Sequence, residues 1–302
     1  MTTEPQHAAA PAPAPLAPTH AGLWLPPAGL AGCVRATLTR DTRGVALTPA
    51  QRFSHFPASP LCKLVWWLAG DGDAVEPGWP AEPGSPRTPV PDRAMFYGPG
   101  TRPVVGYSDG PVSVLMVLLT PDALRALCGV SAADWVDRGA PLSAVLGAPW
   151  SALLPALDAA PDDPATRVAL VHQRLLAAWA PCRGGADWAS HRYRDWAEAL
   201  ALRAASSSAG RSLRQIERRI RAWAGQPMRE LQSLVKAEEA FFAVAAAIER
   251  GTVQWADVAV DAGYADQSHL CRATRRVTGF SPQQLARRIA EDEGFWPYRV
   301  WL

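Results

Sequence analysis

Between Gly263 and Pro282 the chain reads "GYADQSHLCRATRRVTGFSP", and several of its side chains could do recognition chemistry on a nucleic acid. Gln267 and Arg272 are residue types that bond two atoms of a base edge at once. Ser268 and His269 offer single donors or acceptors, and Arg275 and Arg276 carry fixed positive charge suited to phosphate. Gly263 fences the stretch on one side, and Gly279 with Ser281-Pro282 on the other; these are residues that end one helix and start the next. Read as a helix from Asp266 to Val277 with Asp266 as its cap, the stretch turns Leu270 and Val277 towards Val258 and Ala262 of the preceding helix. Gln267, His269, Arg272 and Arg276 then project outward. Two helices joined at Gly263 by a turn of about three residues make a helix-turn-helix, whose second helix shows such a face to the major groove. Each residue also has a plainer use. His269 can pack within the turn, Arg272 can bond a carboxylate of its own domain, Asp266 can serve only as a cap, and Tyr264 reads as core.

A second basic stretch lies upstream. From Arg211 to Arg229 there are six arginines against the single Glu217. Residues 1–180 carry 12 basic and 14 acidic side chains, whereas residues 181–302 carry 18 and 14. A basic segment in a chain of net charge +2 implies either an anionic partner met at one face or a solvated helix surface. Ser212 is placed to cap "SLRQIERRIRAWAG", with Ile216 and Ile220 inward and Gly225 as its stop.

The elements around these stretches fall into two kinds. From about Ala21 to Val130 short strands are broken by Pro and Gly. "CVRATLTR" alternates, with Val34, Ala36 and Leu38 on one face, while "CKLVWWLAG" and "PVSVLMVLLTP" are continuous apolar runs suited to buried strands. The pattern implies a β-sandwich or open barrel, with "EPGWPAEPGSPRTPVP" as a loop. Residues 131–185 read as a helical connector in which "SAADWVDRGA" is a helix and Val168, Val171, Leu175, Leu176 and Trp179 form a stripe. That stripe faces the β-rich half or a second copy of the chain. "PCRGG" at 181–185 marks a break, and from 186 onward only helices are read, one of them spanning about Trp188–Leu202 and another about Met228–Arg250. The expected fold class is therefore multidomain α+β: a β-rich domain (21–130), the connector, and an all-α domain (186–302) with two helix-turn-helix motifs.

Composition excludes several classes. Cys33, Cys62, Cys128, Cys182 and Cys271 are scattered and odd in number, so neither a disulfide framework nor a zinc site is expected. No catalytic residue, cofactor or metal is expected. No stretch reaches the ~20 apolar residues of a membrane span. Residues 1–20, rich in Ala and Pro, read as a flexible tail and not as a signal peptide, which places the protein in the cytoplasm.

"DVAVDAGYADQSHLCRATRRVTGFSPQQL" resembles the second helix-turn-helix of the AraC/XylS family of bacterial transcription regulators. Gly263, Tyr264, Asp266, Gln267, Ser268, His269, Arg272, Gly279, Ser281 and Pro282 match the family motif in register. "GRSLRQIERRIRAWAGQPMREL" is similar to the first motif through Ser212, Arg214, Ile216, Arg218, Ile220 and Gly225. The resemblance implies that Arg214, Gln215, Glu217 and Arg218 face double-stranded DNA, with Arg221 beside them. It also implies a cupin-like or sandwich N-terminal domain that senses a small molecule, forms a homodimer, or both, and contact with RNA polymerase. Leu270 and Thr274 stand where the family has Phe, so the core there is filled from elsewhere. The serine run 206–208 stands where the first scaffold helix has aliphatic residues, with Ser206 expected to face inward.

Two other readings compete. A DNA-repair alkyltransferase would need a Pro-Cys-His-Arg nucleophile, and the chain has only Pro181-Cys182-Arg183. An interaction protein with a decayed DNA face is favoured only by the serine run. For an effector, the aromatic side chains Trp66, Trp67, Phe96, Tyr97 and Tyr107 could line a pocket for an apolar or planar ligand, or could all be core.

Overall fold

The computed structural model describes residues 19–182, 192–207, 212–249 and 254–302. The tail over 1–18, the break at 183–185, the start of the helix expected at Trp188, Ser208 and Arg250 lie outside them. Among the described residues ten strands come first: β1 His20–Trp24, β2 Val34–Asp41, β3 Phe53–Phe56, β4 Cys62–Ala69, β5 Asp73–Val75, β6 Arg87–Pro89, β7 Ala94–Tyr97, β8 Val104–Tyr107, β9 Ser113–Leu119 and β10 Gly139–Pro141. They form an antiparallel six-stranded sheet, β1-β2-β9-β4-β7-β10, and a smaller four-stranded sheet, β3-β8-β5-β6. The β-rich half followed by a helical half is the fold class expected. Two assignments differ. The segment read as a loop contributes β6, which tolerates Pro89 because it is an edge strand. "SAADWVDRGA" is a short 3₁₀ turn, Ala132–Trp135, leading into β10, so the connector completes the larger sheet.

Both faces of that larger sheet are buried, which is why β4, Lys63 apart, and β9 after Ser113 read as apolar runs. Cys62, Leu64, Trp66, Phe96, Leu115 and Val117 face the helices α1 (Pro121–Cys128), α2 (Leu142–Leu146), α3 (Ala148–Ser151), α4 (Leu153–Ala159) and α5 (Pro164–Trp179). Val168, Val171 and Leu175 of α5 belong to this core, whereas Leu176 at the stripe's edge is 39% exposed. On the opposite face lie Ala36, Leu38, Val65, Met95, Met116 and Leu118. Val34 does not share a face with Ala36 and Leu38 as expected: the register shifts between Val34 and Ala36, and this bulge sends Val34 to the helical side.

The second half comprises α6 (Tyr193–Ser206), α7 (Leu213–Ala224), α8 (Met228–Glu249), α9 (Trp255–Asp261), α10 (Gln267–Thr278), α11 (Pro282–Glu291) and α12 (Trp296–Arg299). It is braced against the first half at several points. A buried ion pair joins Arg35 to Glu238, and the other oxygen of Glu238 accepts from the backbone N–H of Tyr193 at 2.8 Å. Asp122 accepts from the Trp196 indole at 2.9 Å and from Arg203 at 2.6 Å. The chain's last residues return to the larger sheet, where Trp296 closes the cluster of Leu38, Val65 and Met116.

Candidate nucleic-acid interface

The turn and cap of the second helix-turn-helix, α9 and α10, are built as the sequence implies. Gly263 sits at φ 71°, a left-handed conformation that costs a side-chain-bearing residue, and it ends α9 so that the chain can turn within a few residues. The N–H of Tyr264 closes the turn on the Ala259 carbonyl at 2.8 Å. Asp266 caps α10, its carboxylate accepting from the His269 N–H at 2.7 Å. Leu270 is buried with Val258, Ala259, Ala262 and Tyr264 against Ala240 and Ala247 of α8. Val277 is not part of that cluster. Two turns further on, it packs against Ala58 of the β-rich half and Leu234 of α8.

The outward face carries Gln267, Ser268, His269, Arg272 and Arg275, all exposed. The His269 ring meets that of Tyr264 edge-on at 5.1 Å, which orients it without burying it. Arg276 is also exposed, but its guanidinium donates to Glu230 at 2.6 Å and to the Ser233 hydroxyl, so it ties α10 to α8. Thr274, at a position where the family has Phe, turns its hydroxyl back on the Leu270 carbonyl at 2.9 Å. The missing ring is not replaced in full: Leu270 and Thr274 line a mostly apolar cavity of about 160 Å³ between the two halves of the chain.

The first helix-turn-helix, α6 and α7, divides its polar residues differently. Trp196, Ala197, Leu200 and Ala204 of α6 bury Ile220 and Ala224 of α7, with Ile216 half-buried beside them. Ser206 is exposed and donates to the Leu202 carbonyl at 2.8 Å, so it does not face inward; the inward position two residues earlier is filled by Ala204. Ser212 and Gln215 form a reciprocal cap in which the Gln215 amide oxygen accepts from the Ser212 N–H at 3.2 Å. Glu217 accepts from the Met228 N–H at 3.2 Å, at the start of α8. Both side chains are therefore committed to helix ends. Arg214, Arg218 and Arg221 remain exposed. Sequence reasoning missed Arg219, which closes the C-terminus of α6 on the Ala204 carbonyl at 2.7 Å, and Arg229, whose side chain is 87% exposed beside these arginines in sequence. The run of arginines signalled both, but not which would turn inward.

The aromatic side chains proposed as effector-binding separate into two groups. Trp66 and Phe96 lie on the helical face of the large sheet, fully buried, and line neither cavity. Strand alternation puts their neighbours Trp67 and Tyr97 on the other face. There, with Tyr107 from the small sheet, they line a cleft of about 1640 Å³ between the two sheets. Burial pushes the Tyr97 hydroxyl up to about 12. Lys63 borders both this cleft and the smaller cavity and makes no ion pair among the described residues; burial lowers its pKa. Among the described residues no cluster of His, Cys, Asp and Glu could hold a metal, and no helix is long and apolar enough to cross a membrane.

The family model for a helix-turn-helix domain matches residues 205–288, which take in α7 to α10 and most of α11 but only the last two residues of α6. No curated protein matches the chain. Among solved structures the chain is similar to ToxT from Vibrio cholerae, at 11% identity over 78% of this chain and 94% of ToxT with a TM-score of 0.35. An apo form of ToxT carrying a lysine-to-alanine substitution gives 10% identity, 82% and 95% coverage and a TM-score of 0.37. The form bound to an unsaturated fatty acid gives 9%, 80%, 92% and 0.36. These likenesses are too distant to transfer any property. What the comparisons identify is a helix-turn-helix domain over residues 205–288, within which the motif residues that resemble the AraC/XylS pattern stand in register on α10.

Proposed function

We propose that α10 is the sequence-reading helix, that α7 supplies mainly arginine contacts, and that the cleft between the two sheets takes a small-molecule effector. The observation that carries this is the division of labour on the two helices. Gln267, Ser268, His269, Arg272 and Arg275 are exposed on α10, whereas Gln215 and Glu217 on α7 are held by helix ends. Base edges are read by free donors and acceptors, and phosphates by exposed arginines. For the effector, Lys63 supports a ligand with an anionic group, since a half-buried ammonium without an ion-pair partner is satisfied by one. Trp67, Tyr97 and Tyr107 supply the apolar walls.

In this reading the protein works in the cytoplasm on double-stranded operator DNA, with RNA polymerase and a second copy of the chain as further partners. Selection of bound sequences from a random duplex pool tests it. The expected outcome is one well-defined block of bases, lost on Gln267→Ala and Arg272→Ala, and a second block that Gln215→Ala and Glu217→Ala leave unchanged. A pool that shows no enrichment overturns the assignment of α10.

A further inference from the structure

The helix-turn-helix match ends at residue 288, yet the chain continues into "EDEGFWPYRVWL", with four aromatic residues among the last ten. These residues contribute no part of either reader. They leave α11 at Asp292 and cross to the β-rich half, keeping hold of the helical half through Phe295 and Tyr298 on Leu285, Ile289, Phe241 and Phe280 and through the Arg299 bond to the Ile289 carbonyl. Glu293, 3% exposed, pairs with Arg40 and accepts from the Thr19 hydroxyl. The Phe295 ring stacks on His55 with centroids 4.4 Å apart. Trp296 packs among Leu38, Val65 and Met116 and donates its indole N–H to the Ser54 hydroxyl at 2.9 Å. Trp301 lies with its ring 4.7 Å from the Arg35 guanidinium.

These are the contacts a bound ligand would make: a carboxylate on a buried arginine, a ring stack, and an indole in an apolar seat with its one donor satisfied. The seat borders the site proposed for the effector, because Glu293, Trp296, Arg40 and His55 line the same cleft as Trp67 and Tyr97. It also carries a built-in cost, for the buried Tyr298 hydroxyl has no hydrogen-bond partner among the described residues. Water would satisfy that hydroxyl if the segment left.

We propose that Glu293–Leu302 is a displaceable latch: a built-in occupant of the cleft's wall that a ligand filling the cleft would expel, and whose release uncouples the second helix-turn-helix from the β-rich half. This rests on the cleft being the effector site. Release would be felt at α10 because α11 joins the latch directly to it through residues 279–281, leaving Val277 on Ala58 and the edge-on contact of Phe280 with His55 as holds between this end of α10 and the β-rich half. As a tethered ligand the latch faces an effective concentration on the order of millimolar. Free peptide of the same sequence therefore cannot compete for the native chain at micromolar levels, yet it can fill a vacated seat.

The full chain carrying Glu293→Gln and Trp296→Ala provides the test. Amide exchange of residues 294–302 is expected to quicken by about 100-fold relative to the native chain, and the Ala58 amide, donor to Val277, to quicken with it. A synthetic peptide of native sequence 292–302 is expected to bind this variant and not the native chain. Latch amides that stay protected in a cooperatively melting variant, an Ala58 amide that does not respond, or a released variant that ignores the peptide would each overturn the proposal. If the double variant does not fold, Ser54→Ala, which removes only the indole's acceptor, is expected to quicken latch exchange several-fold, and unchanged exchange there overturns it equally. Duplex-DNA affinity of the native chain, measured in parallel, tests the regulator reading by itself. Its absence would leave the exchange result standing.

Discussion

The backbone N–H of Ala58, in the loop between β3 and β4, donates to the carbonyl of Val277, in the last turn of the second reader, at 2.8 Å. Helix α10 is thus bonded through its main chain to the domain that holds the cleft. The first reader touches that domain as well. Gly225, at its C-terminus, has φ 76° and lies so close to Ala132 that an added Cβ would stand 3.0 Å from the Ala132 carbonyl oxygen. Both readers are therefore referenced to one frame, at different ends.

Arg272→Ala is expected to weaken specific DNA binding by about 1–3 kcal/mol through loss of a bidentate base contact, with the fold retained. Arg275→Ala should weaken all sequences alike and reduce the salt slope by about one. Titrations of operator and random duplex at several salt concentrations separate the two. Equal losses on both duplexes for Arg272→Ala would remove it from the base-reading set.

Ser206→Leu should leave the melting temperature close to that of the native chain, since the side chain points to solvent. Ala204→Leu, two residues away and fully buried against Ile220, should overpack α6 on α7 and cost about 1–3 kcal/mol. A marked change for Ser206→Leu with none for Ala204→Leu would mean that α6 is rotated from its described orientation.

Glu217→Ala removes the acceptor for the first N–H of α8 and is expected to cost about 1 kcal/mol of stability, the usual loss for a helix-end acceptor. Its effect on DNA binding should be independent of sequence. A loss confined to operators carrying cytosine at one position would make Glu217 a base reader instead.

Stability should decline as the pH falls from 6.5 towards 4. Burial lowers the His55 pKa to about 4, against the weaker pull of Asp292 and alongside the opposing charge of Arg288. A base whose folded pKa lies below its unfolded value binds fewer protons when folded, so the unfolded state gains as protons become available. The difference is worth about 3 kcal/mol across that window. His172, also lowered by burial, adds in the same direction. Melting temperatures between pH 7 and pH 4 should fall less steeply for His55→Phe, and an unchanged slope would acquit His55.

What is legible in the sequence is whatever local chemistry decides. Asp266, Gly263 and Ser212 specify caps and turns within a few residues of themselves, and the structure places each as its type demands. Strand runs such as "CKLVWWLAG" are equally plain, because burial on both faces removes any alternation. The misreadings come from choices made at longer range. The bulge at Val34–Ala36 flips a face, Pro89 sits in a strand because it is at an edge, and Val277 turns to Ala58, more than two hundred residues away in sequence. Glu217 and Gln215 look like readers by position. Only the arrival of the α8 N-terminus beside one, and the N-cap reciprocity of the other, fixes what they bond. Trp66 and Trp67 are adjacent in sequence yet lie on opposite faces of the sheet, and nothing local says which face has the cleft.

Trp296 has a practical consequence for taking the molecule apart. Because it is one of the side chains that cover Leu38, Val65, Met95 and Met116, a β-rich fragment ending before α6 would present that apolar face to water and be prone to self-association. Grafting the β-rich half onto a foreign DNA-binding module, as in building a biosensor, would therefore call for residues 293–302 to be carried along, spliced back behind the replacement helices. A reporter built only from the leading half would lack part of its own interior.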